Sequence, residues 1–259
     1  MRAFGAILWF IVIAILVLFM LGPLAIVVVF SFNSGALVSL PLTGFSLDWY
    51  RALFSSAEFW AAFQNSLAVA VPTALLATVT GTMTALALTR KNAAASVPLL
   101  TALSVPIMIP PLVVAIGLVV LYVRWLSVPL GLGAVIGGHL LLTQPLVALV
   151  VSARMASFDR VALEAARDLG ATPWQAFRHV TLPQIRAALV GAGLLAFAIS
   201  LDEFIITIFT IGSGNTLSTF VWGKMRTSLD PSINAIATLL LVITIGSTAI
   251  ALRMTRYRG

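Results

Sequence analysis

The sequence predicts an all-α polytopic membrane protein with six transmembrane helices and both termini in the cytoplasm. Three observations lead there. Of 259 residues, 61% are hydrophobic and only 9% are charged, against about 25% charged in a soluble domain. Mean hydropathy is +1.11. The 15 Lys and Arg residues fall in short gaps between long apolar runs, and about 20 apolar residues at 1.5 Å each cross a hydrocarbon core of roughly 30 Å. Such a composition excludes a water-soluble enzyme and a disordered chain. A pI near 11.1 with a net charge of +7 does not indicate nucleic acid, because the basic residues form no patch. Without cysteine there is no disulfide framework, thiolate nucleophile or Cys-type metal site.

The six spans are expected at roughly 6–30, 62–89, 97–123, 134–153, 187–211 and 233–252. A signal peptide with Arg2 as its basic head is the alternative for the first. Its apolar run of about 24 residues exceeds the 7–15 of such a segment, so an uncleaved anchor is expected. Orientation follows from the tendency of Lys and Arg to remain inside. With the N-terminus inside, the inner segments hold eleven: Arg2, Arg90, Lys91, Arg154, Arg160, Arg167, Arg178, Arg186, Arg253, Arg256 and Arg258. The outer segments hold four, Arg51, Arg124, Lys224 and Arg226. That imbalance sets an even number of spans and cytoplasmic ends.

Pro72, Pro98, Pro106, Pro110, Pro111 and Gly117 lie within spans. They predict broken or kinked helices whose freed carbonyls meet neighbours or a water-lined cavity. The pairs Gly133 and Gly137, and Gly191 and Gly193, suit close helix approach. No repeat relates residues 1–130 to 131–259, so an inverted-repeat carrier is not supported. Trp49, Tyr50, Phe54 and Trp60 suit an outer interfacial helix. His139 has no second His or carboxylate at ligand spacing, so packing or hydrogen bonding is expected there, and no metal.

The longest hydrophilic stretch is the inner loop 154–186, RMASFDRVALEAARDLGATPWQAFRHVTLPQIR. Residues 159–169 are good helix formers, and Gly170 stands where a C′ glycine takes the left-handed conformation. Thr172 is then an N-cap, Pro173 the first helical residue and Gln175 the partner that completes a capping box. The second short helix is expected to run to about Val180 and to stop at Pro183. A DNA-binding helix-turn-helix has no room between two spans for a groove reader. A rigid cytoplasmic knob suits docking to another protein.

Within that loop Glu164-Ala165-Ala166, Gly170 four residues on, and Val180-Thr181-Leu182-Pro183 resemble the EAA loop of ABC-importer permeases, with Val180 in place of the family's Ile. The resemblance continues through Phe32-Asn33, Gly44-Phe45-Ser46-Leu47-Asp48-Trp49-Tyr50, Asn65-Ser66-Leu67, Ser200-Leu201-Asp202-Glu203-Phe204 and Asn234-Ala235. Together these are similar to the second permease subunit of spermidine/putrescine-type importers. The resemblance implies one type I permease domain over residues 1–259, set in a bacterial inner membrane, with 154–186 as the coupling loop. Glu164, Ala165, Ala166, Gly170, Leu182 and Pro183 would couple to two copies of a cytoplasmic ABC ATPase. A second related permease would complete a heterodimeric pore, and a periplasmic or extracellular binding protein would deliver solute; it is an alternative partner for the aromatics at 49–60. The chain has no G-x-x-x-x-G-K-[ST] phosphate loop, since its single Gly-Lys pair, Gly223-Lys224, is followed by Met225. No cofactor is therefore expected on it, and ATP-Mg would bind the partner ATPase.

Asp202 and Glu203 are the carboxylates inside a span, about 15 residues or roughly 23 Å past Ala187. Intramembrane acids usually face a cavity or a partner. Ser200, Glu203, Thr207 and Thr210 recur at helical spacing and draw one polar stripe, leaving Asp202 about 100° away. Periodicity thus favours Glu203 for an aqueous pathway, together with Ser200 and Thr207, while the resemblance favours Asp202. A path lined by carboxylates suits a polyamine or similar small cationic amine; an opine, an aminophosphonate or another small organic solute is the alternative cargo. A structural hydrogen-bonded acid is the competing role for the pair. Trp222, Lys224 and Arg226 suit docking or anchoring, since the two bases would repel a cation. A stand-alone secondary carrier would leave the capped loop without purpose, and no catalytic spacing supports an intramembrane enzyme.

Overall fold

The computed structural model describes residues 2–35, 41–89, 93–227 and 231–256. Arg90, Lys91 and Arg258, which entered the count of inner bases, lie outside the described residues. Among the described residues the regular structure is helical, apart from one antiparallel bridge between Asn33 and Phe45. The chain divides into two compact units, one of residues 1–60 and 220–243 and one of 61–219 and 244–259.

The first unit begins with helix α1 (Arg2–Ser31). From Trp9 onward it is left almost wholly uncovered by the rest of the chain, and a helix apolar on every side belongs in lipid or against another protein. Its end is tied down tightly. Phe32 stacks on Phe45 and packs against Tyr50, both at 5.3 Å between ring centres. The Tyr50 hydroxyl meets Ser31 Oγ at 2.8 Å, and Trp49 Nε1–H donates to the Asn33 carbonyl at 2.7 Å. Helix α2 (Asp48–Ser55) is thereby pinned to α1. Trp49 and Tyr50, expected at a lipid interface, are half-buried and direct their polar tips into the protein, whereas Phe54 and Trp60 remain exposed.

The second unit holds most of α3 (Ala57–Thr89), then α4 (Ala93–Met108), α5 (Pro111–Val120), α6 (Leu132–Ala156), α7 (Arg160–Asp168), α8 (Pro173–Ala176), α9 (Leu182–Asp202) and α10 (Ile205–Thr210). Helices α11 (Leu217–Thr227) and α12 (Ser232–Arg256) complete the chain. The core forms where α3, α6 and α9 meet through small side chains: Ala77, Ala85, Val147, Val151, Ala192 and Ala196 are buried. Close approach needs the glycine at 81, where a Cβ would lie 2.8 Å from Val147 and 2.9 Å from the Gln144 carbonyl. Among the expected small-residue contacts, Gly193 sits against Thr78 and Gly137 against the Tyr122 hydroxyl, while Gly133 faces open space. Pro72 and Pro145 lie inside α3 and α6 without ending them.

Among the described residues five helices are long and apolar enough to cross a membrane, and the count is six where the bent pair α4 and α5 is taken as one broken span. The stretch 97–123 is broken where its prolines are expected to break it: α4 and α5 meet at 94°. Pro110 takes the extended conformation (φ −52°, ψ 131°) and Pro111 opens α5, since a residue followed by proline is driven out of the α region. The fifth span, read as 187–211, begins earlier and breaks sooner. Pro183 does not stop the preceding short helix. A π-helical turn, Phe177–Thr181, carries α8 into α9, with the Leu182 N–H bonded to the Phe177 carbonyl five residues back. Pro183 then lies at the second position of α9, directly after that π-helical turn, and the helix runs on through it. The same span ends at Asp202, and a new short helix starts at Ile205.

Candidate functional site

Two places concentrate the residues of interest, both in the second unit: the loop after α6 and the break between α9 and α10. In the loop every expected cap is formed. Helix α7 starts on Asp159, whose carboxylate accepts from the Val161 and Ala162 N–H groups at 3.0 and 3.3 Å. It ends in a Schellman turn: Gly170 has φ +84°, its N–H bonds to the Arg167 carbonyl at 2.9 Å, and Ala171 N–H bonds to the Ala166 carbonyl at 3.0 Å. Thr172 and Gln175 form the reciprocal capping box, at 2.8 and 3.3 Å. Arg154 Nε–H donates to the Gln184 carbonyl at 3.1 Å and Asp159 N–H to Gln184 Oε1 at 3.2 Å, which closes the loop onto the start of α9.

This rigid knob presents apolar groups to its surroundings. Val161 is 73% exposed, Leu169 89% and Trp174 65%, and Trp174 is held in place by stacking on Phe177 at 5.6 Å. Glu164, Ala165 and Pro183 are exposed, and Ala166 and Leu182 are half-buried. Behind the knob lies a cavity of about 260 Å³ lined by Leu86, Phe158, Arg160, Glu164, Arg167 and Phe177, among others. Large exposed apolar side chains on a capped, hydrogen-bonded scaffold are the features of a docking surface.

The second place is the end of α9. The helix stops because Glu203 adopts an extended conformation (φ −64°, ψ 114°). Its carboxylate turns onto the next helix, where Oε1 accepts the Ile206 N–H at 3.0 Å, filling one of the vacancies every helix start carries. Its own carbonyl accepts the Thr207 hydroxyl at 2.7 Å and the Ser218 hydroxyl at 3.3 Å. Asp202, by contrast, is exposed, and its carboxylate makes no hydrogen bond or ion pair with any described residue. The continuous helix that ranked Glu203 ahead for an aqueous face is therefore absent. Ser200 and Thr207 do share a face, but it is an inner one: they are buried, at 4% and 0% exposure, and both meet His139.

That His139 cluster joins residues more than sixty positions apart, so no local spacing reveals it; its one signal is a histidine within an apolar run. Gln144 is a further intramembrane polar residue that periodicity passes over, donating to Thr84 Oγ1 at 3.0 Å. Among the described residues no cluster of His, Cys, Asp and Glu is fit to hold a metal.

Residues 77–257 match the model of the family described as "Binding-protein-dependent transport system inner membrane component". The chain is 36% identical over 245 residues to the putrescine transport system permease protein PotI of Escherichia coli K12, covering 90% of this chain and 85% of that one. It is 34% identical over 224 residues to the spermidine/putrescine transport system permease protein PotC of the same organism, covering 86% and 84%. Among solved structures, a chain of a bacterial ABC transporter involved in the import of the acidic polysaccharide alginate superposes with a TM-score of 0.73 at 19% identity, covering 98% of this chain and 97% of that one. A chain of the MetNI methionine ABC transporter gives 0.62 at 18%, covering 78% and 98%. At those identities the two structures establish the fold. Family match, relatives and fold agree on one conclusion: the chain belongs to the binding-protein-dependent transport system inner membrane components, and it is a permease of an ABC importer.

Proposed function

We propose that this permease carries a polyamine or a similar small cationic amine, and that Asp202 is the acid the cation meets in the membrane. One observation carries the reading: a carboxylate at the end of a broken helix, within an apolar segment, left uncovered and unpaired by the described chain. A bare acid there is stabilised by water or by a passing cation. A carboxylate in a wet path draws an ammonium in and holds it loosely enough to release it. The relatives named for putrescine and for spermidine/putrescine support the same cargo.

The remaining machinery is proposed with it. The termini and the loop 154–186 face the cytoplasm, and the whole chain acts as one permease domain. The exposed knob, with Glu164, Ala165, Ala166 and Gly170 on α7 and its cap and Leu182 and Pro183 at the root of α9, seats on an ATPase. Two ATPase copies bind ATP-Mg and close beneath this chain and a sister permease. A binding protein hands over the solute from the other side, as suits a fold shared with the bacterial alginate ABC transporter solved in complex with its pentasaccharide-bound periplasmic protein.

The test is reconstitution of the purified complex in liposomes with candidate solutes. ATP-dependent uptake of putrescine or spermidine that falls in Asp202→Asn supports the reading. Uptake of an opine or aminophosphonate with polyamines excluded overturns the cargo. Transport by this chain alone overturns the dependence on partners, and a reporter fused at Ser157 that reads out as external overturns the orientation.

A further inference from the structure

The break between α9 and α10 is spanned by one side chain of α6. His139 is 1% exposed. Its Nδ1 lies 2.7 Å from Ser200 Oγ on α9, and its Nε2 lies 2.9 Å from Thr207 Oγ1 on α10. One imidazole thus bonds to both halves of a discontinuous helix. Hydroxyl chemistry orders the protons. The Glu203 carbonyl can only accept, and it takes the Thr207 hydroxyl proton at 2.7 Å. Thr207 has no second proton, so Nε2–H donates to it. Nδ1 of the neutral ring is then the acceptor for the Ser200 hydroxyl. The chain runs from Ser200 through His139 and Thr207 to the carbonyl of the residue at which the helix breaks.

The backbone around it is fixed by independent contacts. Gly131 N–H donates to the Thr210 carbonyl at 2.9 Å. At Gly138 an added Cβ would sit 2.6 Å from Ile206, so α6 and α10 touch with no space to spare. The histidine therefore bridges against a stiff wall, and Asp202 lies two residues past Ser200, at the end of α9.

We infer that His139 is a positioning residue: by bonding to Ser200 and Thr207 it sets the geometry of the break and so the placement of the Asp202 carboxylate. Its consequence for transport rests on the reading of Asp202 as the solute-facing acid; the placement itself does not. Removing the bridge should move residue 202 while leaving the fold intact. Each conservative variant should keep one bond, since an Asn side chain reaches the Nδ1 position and a Gln side chain the Nε2 position.

Because the chain has no cysteine, Asp202→Cys introduces its one thiol, whose labelling rate with a small maleimide can be followed on the tagged subunit in the assembled transporter. Phe45→Cys, at a site 78% exposed, is the control. His139→Ala should change labelling at 202 by about tenfold or more, with the control constant and His139→Asn and His139→Gln intermediate, because placement errors of about an ångström are felt strongly at such sites. Unchanged labelling at 202 in an intact His139→Ala complex would overturn the inference. Should that variant fail to assemble, Ser200→Ala and Thr207→Val each remove one bond with the ring in place. A shift in either carries the inference, and no shift in both overturns it. Uptake separates the two readings: in a chain with Asp202 intact, His139→Asn should raise KM for the cation more than it lowers kcat. If labelling shifts but Asp202→Asn transports like the parent, the role of Asp202 falls and the positioning role stands.

Discussion

An acid inside a membrane span is stabilised by a partner or by water; Glu203 has a protein partner, and Asp202 has none among the described residues. Glu203 caps α10 through Oε1, a duty that needs an acceptor and no charge. Glu203→Gln keeps an oxygen in place and should leave uptake within about twofold of the parent, while Glu203→Ala should cost about 1 kcal/mol of local stability through the lost cap. Asp202→Asn removes the exposed, unpaired charge that the described residues leave at the break. A charge-assisted hydrogen bond contributes about 2 kcal/mol, so KM for a dication should rise roughly thirtyfold. Initial rates of uptake in proteoliposomes measure both, and equal uptake by Asp202→Asn with a defective Glu203→Gln would reverse the assignment. Of the stripe Ser200, Glu203, Thr207 and Thr210 that periodicity draws, Ser200 and Thr207 meet at His139, while Glu203 turns away to cap α10. What periodicity does not contain is the cover on that stripe, because His139 arrives from a helix distant in sequence, nor the interruption at 203, because a 3.6-residue repeat presumes an unbroken helix.

At the scale of elements, legibility follows the range of the interaction. The Asp159 cap, the Gly170 turn and the Thr172–Gln175 box close over two to five residues, and signals of that range are written in consecutive letters; those at Gly170 and Thr172–Gln175 are read correctly. Pro183 shows the limit. Its local preference is to stop a helix, yet the π-helical turn at Phe177–Thr181 shifts the register and lets α9 run on, a tertiary choice that propensity does not encode. The cap at Gly170 can be tested directly. Nothing lies within 4 Å of an added Cβ there, so Gly170→Ala suffers only from the left-handed backbone, about 1 kcal/mol. Asn tolerates that conformation and should be milder. Transport-stimulated ATP hydrolysis by the assembled importer should fall in the order Gly, Asn, Ala, and equal rates in all three would show that the shape of this turn does not matter to coupling.

For the whole molecule the decisive feature is apolar surface that the chain leaves bare. Along α1 a lipid bilayer accounts for it, and composition alone foresees as much. In the loop 154–186 lipid is no answer, because the segment is hydrophilic, capped and anchored to α9 through Arg154 and Gln184. Val161, Leu169 and Trp174 stand out of it, and Trp174 is pre-set by its stack on Phe177, so docking would cost little side-chain entropy. Rigid aromatic anchors of this kind dominate protein interfaces, with truncation costing about 2 kcal/mol or more. Trp174→Ala should therefore weaken capture of the ATPase subunit roughly thirtyfold. Insertion of the permease should be unchanged, because the spans and their flanking bases direct it. Leu169→Ala should act in the same direction with a smaller effect, since aliphatic residues are less often hot spots. Titrating purified ATPase onto permease in nanodiscs reads the affinity, and the yield of folded permease in the membrane reads insertion. Full-strength binding by a Trp174→Ala, Leu169→Ala double variant would move the docking surface off this knob, whereas weakened binding with normal insertion places it there.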